Sequence, residues 1–173
     1  MSVANYSTAE PTSRLASAPE FEIIKVLANK EFGPCNVTAL AWLPSRSVLK
    51  RIYTMYPDIF PIGAEHALPD DHPLKREVII GQKPLMSRNA DEVKAMFTAY
   101  EKSFQVGNTS VFNIPIVDNN GNTLGSFNLG TTAGRWDDAT LQPMLRLAST
   151  EGVKAFVEWK ARLGDTWEEP CAV

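Results

Sequence analysis

Two carboxamides stand in the middle of otherwise apolar runs, Asn113 and Asn128, on either side of an Asn119-Asn120-Gly121-Asn122 turn. Residues of this kind tolerate the left-handed angles of a tight reversal, so the stretch Ser110 to Thr131 reads as a β-hairpin. Pairing Asp118 with Thr123 sets the register by counting outward. Asn113 then faces Asn128, Pro115 faces Ser126 and Val111 faces Gly130. The reverse face carries Phe112, Ile114 and Ile116 opposite Leu129, Phe127 and Gly125. One face is apolar and wants helices. The other is small and polar and suits a ligand cavity. A buried asparagine is costly unless its amide finds partners, which for this pair are either each other and neighbouring loop backbone or a bound molecule.

Other side chains can join that chemistry. Arg51 and Tyr53, two residues apart, share one face of their strand. Arg51 offers a planar fork either to a ligand carboxylate or phosphate or to an acid such as Glu77 or Glu101. Tyr53 and Tyr100 each offer a ring and a hydroxyl. Phe60 lies in the Pro/Gly/Asp-rich connection from Pro57 to Asp71, which is long for a compact domain and suits a binding loop. His72 follows that loop as a pocket-rim group. His66 and His72 flank Asp70 and Asp71, but the spacing matches no metal-ligand motif, and no metal or other cofactor is expected. Cys35 opens a strand-like run as a small buried residue with no histidine placed beside it. Pro115 and Ser126 complete the floor of the expected pocket, and Phe97 stands with Tyr100 in its wall.

The elements that must position these groups follow from pattern. Residues 1–16 are Ser/Thr/Ala/Pro-rich and read as a disordered or loosely docked arm. Ser17 and Glu20 have capping-box spacing before a helix striped by Ile23, Ile24, Leu27 and Ala28, ended by Gly33-Pro34. Residues 35–43 and 48–56 read as paired strands. A short helix capped by Asp71 begins near Pro73 and stops at Gly81, and 84–86 is a brief edge strand. Asn89 and Glu92 cap a helix whose face is Val93, Met96, Phe97, Tyr100 and Phe104. After the hairpin, Trp136-Asp137-Asp138 opens a final helical region that Pro143 is expected to split. Residues 17–163 thus form one domain, and 164–173 a short tail. The fold class is α+β, a central antiparallel sheet with helices on both faces. The terminal helices cover its apolar side and the middle helices its polar side.

Composition limits the partners. The chain has 173 residues, 17 basic against 20 acidic, and a net charge of −3. That balance, without clustered Lys and Arg, argues against nucleic acid. No apolar run approaches the roughly 20 residues that span a bilayer. The first residues lack a basic start and an apolar core, so no secretory signal is expected. Cys35 and Cys171 are the two cysteines, too far apart in sequence to suggest a disulfide framework, and a cytoplasmic setting is the reading.

The element order resembles that of the GAF domain family of small-molecule sensor modules over about residues 17–163. Arg51-Ile52-Tyr53, Phe60-Pro61-Ile62-Gly63, Phe97 through Tyr100, Ser110-Val111-x-Asn113-Ile114-Pro115-Ile116 and Leu124-Gly125-x-Phe127-Asn128-Leu129 carry the likeness, together and in order. The chain lacks the Asn-Lys-x-Phe-Asp-Glu string of cyclic-nucleotide-binding members, the Cys-His pair of bilin-binding members and the cooperating cysteines of the sulfoxide reductase members. It reads as a free-standing module. The resemblance implies a non-catalytic sensor of a small molecule, bound by Arg51, Tyr53, Phe60, His72, Phe97, Tyr100, Asn113, Pro115, Ser126 and Asn128. An enzyme using Arg51, Tyr53, His72 and Glu77 for acid-base chemistry is the alternative. A structural dimerisation unit is the second. Phe21, Phe32, Phe156 and Trp159 offer more apolar surface than one sheet face needs, so a homodimer through the N- and C-terminal helices is expected.

Overall fold

Six antiparallel strands form one sheet in the order β3-β2-β1-β6-β5-β4. The computed structural model describes residues 18–168. The strands are β1 (Asn36–Leu43), β2 (Val48–Thr54), β3 (Glu65–Ala67), β4 (Leu85–Ser87), β5 (Ser110–Val117) and β6 (Thr123–Thr131). A 3-10 turn (Pro19–Phe21) leads into helix α1 (Glu22–Phe32). A π-helix (Leu74–Ile80), α2 (Ala90–Met96) and α3 (Tyr100–Gln105) lie between β3 and β5. Helix α4 (Asp138–Leu147), a wide π-type turn (Ala148–Gly152), α5 (Val153–Leu163) and a 3-10 turn (Gly164–Glu168) follow β6. The expected arm and Ser17 cap lie outside the described residues, as does Cys171.

The central hairpin has the counted register. Asn113 pairs Asn128, Pro115 pairs Ser126, Val111 pairs Gly130, and Ile114 pairs Phe127. Only the closing pair differs, because a bulge after Ile116 brings Val117, not Asp118, opposite Thr123. Asp118 instead organises the turn, its Oδ1 accepting the backbone N–H of Asn120 at 2.9 Å and of Asn122 at 2.8 Å.

The apolar face builds the main core. Phe112, Ile114, Phe127 and Leu129 meet Phe21 and Ile24 from the N-terminal helical segment and Met144, Phe156 and Trp159 from the C-terminal one, all buried. Phe156 is the hub. Its ring meets Phe21 edge-on at 5.2 Å and lies 5.9 Å from Phe127 and 6.5 Å from Trp159. The opposite face carries a smaller cluster in which Leu40, Trp42 and Leu49 of the sheet meet Leu74, Val78 and Ile79 of the π-helix.

Three local expectations are corrected. The region 89–104 is two helices, because Phe97 is extended (φ −121°, ψ 124°). Met96 and Phe97 pack against the smaller cluster there, and that burial outweighs continuing one helix. Asn89 caps α2 as read, accepting the N–H of Glu92 at 3.0 Å. Pro143 lies inside α4 without splitting it. A reciprocal Asp137–Thr140 capping box and the burial of Met144 hold the helix through, and the interruption comes later, at Ala148–Gly152. Residues 164–168, read as the start of a tail, wind back and bury Trp167 against Trp159 at 5.4 Å. The buried Lys50 ammonium donates to the Trp167 carbonyl at 2.9 Å, so a strand side chain secures this turn.

Candidate functional site

The polar face of the sheet is built from alternate residues of three adjoining strands. Thr38 of β1 pairs Asn128 of β6, which pairs Asn113 of β5. One step along, Leu40 pairs Ser126, which pairs Pro115. The register therefore brings Asn113, Pro115, Ser126 and Asn128 together on one face. Asn113 is fully buried and Asn128 half-buried. Asn113 Nδ2 donates weakly to the Leu85 carbonyl of β4 at 3.4 Å. The Oδ1 atoms of Asn113 and Asn128 are both buried and accept nothing from the described residues. The amides neither bond each other through these oxygens nor satisfy them on a loop. Thr38 and Thr54, facing across β1–β2, extend the polar row with hydroxyls 3.5 Å apart. Neither threonine stood out in the sequence, although Thr38 has the parity of Asn36 and Leu40 on β1.

Beyond this row the face closes on itself. Asn36 Nδ2 donates to the Val106 carbonyl at 2.9 Å and to Asn108 Oδ1 at 2.6 Å. Gly130 makes this possible, since a Cβ there would lie 2.2 Å from Asn108 Cγ. An open cleft of ≈ 370 Å³ begins here, lined by Asn36, Tyr56, Val106, Gly130 and Cys35 among others. Cys35 is buried, and burial pushes its thiol up to about 11, against a smaller downward pull from Arg135. A protonated thiol is a poor nucleophile, so Cys35 adds no covalent chemistry to the cleft.

Arg51 stands on the same face as Leu40, its register partner, but near the outer edge of the sheet. Its guanidinium lies 5.3 Å from the centre of the Phe60 ring, donates to the Pro61 carbonyl at 3.2 Å and contacts His66 Nε2 at 3.0 Å. An arginine can only donate, so His66 Nε2 accepts and its Nδ1 carries the proton. Arg51 Nε is buried without a partner, and burial brings the group down to about 10, leaving it charged at neutral pH. Among the described residues it has no ion pair; Glu77, one of the acids considered for it, is held instead by Arg76 Nε at 2.8 Å. Burial, then the charges of Arg51 and Lys102, hold His66 below its ordinary value, although the residue as a whole stays exposed.

Tyr53 is not in this site. Ala39 pairs Tyr53 while Leu40 pairs Arg51, so Ile52 is an extra residue in β2. The bulge breaks the alternation and turns Tyr53 to the core face. There its ring packs 5.9 Å from Phe21, and its hydroxyl donates to Glu22 Oε1 at 2.9 Å. Burial first, then Glu22, push the phenol far up.

The remaining expected residues divide. Phe60 is part of the Arg51 corner. Phe97 packs in the smaller apolar cluster. Tyr100 is half-buried in α3, its ring 5.5 Å from Phe104. His72 is half-buried, and its Nδ1 accepts the Leu74 N–H at 3.2 Å; Pro73 occupies the N-cap position, so the cap expected of Asp71 is not made. With His72 on the backbone and Glu77 on Arg76, the acid-base pair considered for an enzyme does not form.

No family model matches the chain, and no curated relative does. Solved structures do. The GAF domain/HD domain protein from Geobacter sulfurreducens is 16% identical, with a TM-score of 0.63 over 88% of this chain and 99% of that one. The GAF domain of a two-component sensor histidine kinase from Bacillus halodurans is 14% identical, with a TM-score of 0.59 over 84% of this chain and 97% of that one. The type II free methionine-R-sulfoxide reductase from Thermoplasma acidophilum is 10% identical, with a TM-score of 0.50 over 86% and 96%. At such identities the likeness is one of architecture, and the coverage of nearly the whole of each neighbour shows what it is: this chain has the GAF-domain fold.

Proposed function

We propose that this chain is a regulatory domain that binds a small polar molecule against the Asn113–Asn128 row. The carrying observation is the pair of buried Oδ1 atoms without donors on adjacent, paired positions. Leaving a buried acceptor unpaired costs about 1–3 kcal/mol, and a bound N–H or O–H would recover that cost at both atoms. Two of the structural neighbours above are GAF domains of a sensor kinase and of an HD-domain protein, which supports a regulatory rather than catalytic reading. The helices and loop on this face, from Phe60 to Asn108, would be ordered by the ligand and pass that change to a partner.

Asn128→Leu tests the site. The variant removes an unpaired acceptor, so the ligand-free protein should melt at the same temperature or higher, while the shift produced by any stabilising compound of a metabolite panel should disappear. A variant that still responds to the same compound would place the ligand elsewhere. A wild type indifferent to the whole panel, with nothing released on denaturation by mass spectrometry, would favour the structural dimerisation unit.

A homodimer through the terminal helices belongs to the same reading. Ile23 and Val26 of α1 and Val157 of α5 are large apolar side chains left exposed, on segments that touch through Phe21 and Phe156. Sedimentation should give a dimer that Ile23→Glu with Val157→Glu converts to monomer. A monomeric wild type at micromolar concentration would remove the dimer.

A further inference from the structure

The Arg51 corner has a charge problem that its own surroundings do not solve. A guanidinium is costly to desolvate unless an anion or several acceptors answer it. Here it has one carbonyl, one imidazole nitrogen and one ring face, and its Nε points at no acceptor. The neighbouring groups make the imbalance larger. His66, neutral as the acceptor from Arg51, brings no counter-charge, and Lys102, whose charge acts on the His66 ring, adds a second cation that belongs to no ion pair among the described residues. Glu65, beside His66 on β3, is committed to Arg46 at 2.5 and 2.9 Å. The corner is therefore cationic and uncompensated, and Lys102 and His66 are exposed at its mouth.

We infer that the molecule bound on this face carries an oxyanion, a carboxylate or a phosphate, which seats on Arg51 with His66 and Lys102 beside it. The planar fork suits either anion, and one of its faces is already fixed by Phe60. The location of the other end rests on the function proposed above. Two strand spacings separate Arg51 from Ser126 through Leu40; Asn128 lies two residues further along β6 and Asn113 one strand beyond it, backbone spans of about 12 and about 16 Å from Arg51 at the usual strand geometry. A single small metabolite with an acid at one end and hydrogen-bond donors at the other bridges those distances. Oxygens would answer the arginine, and N–H or O–H groups the two asparagine oxygens.

The chain has two histidines, His66 in the corner and His72 at the π-helix, so one reports and the other controls. The full chain labelled with nitrogen-15 is titrated with inorganic phosphate and, separately, with acetate at constant ionic strength. A saturable change in the His66 ring signals with at least one anion, His72 staying still, is the expected result. Tighter binding of phosphate marks a phosphorylated ligand, and tighter binding of acetate a carboxylic acid. Arg51→Gln should weaken the response about tenfold or more, as loss of a charge-assisted bidentate contact does. Should that variant fail to fold, the exposed Lys102→Gln decides, with an expected weakening of about threefold at low salt. No saturable change with either anion, equal movement of both histidines, or an undiminished response in the variant used would overturn the inference. Asn128→Leu keeps the corner intact and should still bind the anion. A protein that fails the anion titration but loses its metabolite response in Asn128→Leu refutes the oxyanion alone, and the reverse pattern refutes the asparagine site alone.

Discussion

Gly125→Ala should leave little folded protein at physiological temperature. Gly125 sits on β6 opposite Ala41 of β1, in the centre of the sheet. A Cβ built there would lie 2.0 Å from the Leu40 carbonyl oxygen and 2.9 Å from Phe156 Cζ. The phenyl ring can rotate or withdraw. The carbonyl belongs to the backbone of the adjoining strand, so relief requires β1 and β6 to part or shift at the join of the two halves of the sheet. A penalty on the order of 4–5 kcal/mol or more is expected, in the range reserved for severe overpacking and broken networks. Against the roughly 5–15 kcal/mol that holds a domain together, that is a large fraction. Urea unfolding followed by tryptophan fluorescence measures it. Adding Phe156→Leu should recover only a small part of the loss, because the closer contact is with backbone. Wild-type stability in Gly125→Ala would contradict the strand packing.

The second large effect is Phe156→Ala, with an expected loss of about 3–5 kcal/mol. Phe156 is fully buried, and its ring ties the N-terminal turn through Phe21 to the hairpin through Phe127 and to its own helix through Trp159. Removing it opens a cavity where three elements meet, and the rings around it cannot all close in. Phe156→Leu, which keeps most of the volume, should cost much less. Chemical denaturation of the two variants gives the difference. Neither substitution touches the polar face, so whatever folded Phe156→Ala remains at low temperature should still show the His66 response to anion.

Sequence reasoning worked for the hairpin that carries Gly125 and not for Phe156, which it offers with Phe21 and Trp159 as surplus surface for a dimer and which is instead buried with them in the protomer's own core. The hairpin register needed only a turn and the two-residue period of a strand, both local properties. It placed Asn113 against Asn128 and Ile114 against Phe127, so the polar and apolar faces followed from counting. The cap at Asn89 and the edge strand near Leu85 were equally local, set by neighbours within a turn or two.

What the chain order alone determined, then, was most of the elements, though not β3 within the 57–71 connection, together with the central register and the two unlike faces of the sheet. Tertiary packing decided the rest. Whether β2 alternates cleanly depends on what β1 presents to it. The extra residue at Ile52 lets Tyr53 reach Phe21 and Glu22 while Arg51 keeps the opposite face. No spacing within β2 reports that, because the competing burials lie on other elements. The same holds for Phe97, drawn out of a helix by an apolar cluster, and for Trp167, drawn back onto Trp159 and Lys50. The Arg51, His66 and Lys102 corner unites residues from two strands and a helix. Its defining property is that no acid among the described residues pairs with Arg51, the adjacent Glu65 being held by Arg46, and a missing partner is visible only once the neighbours are in place.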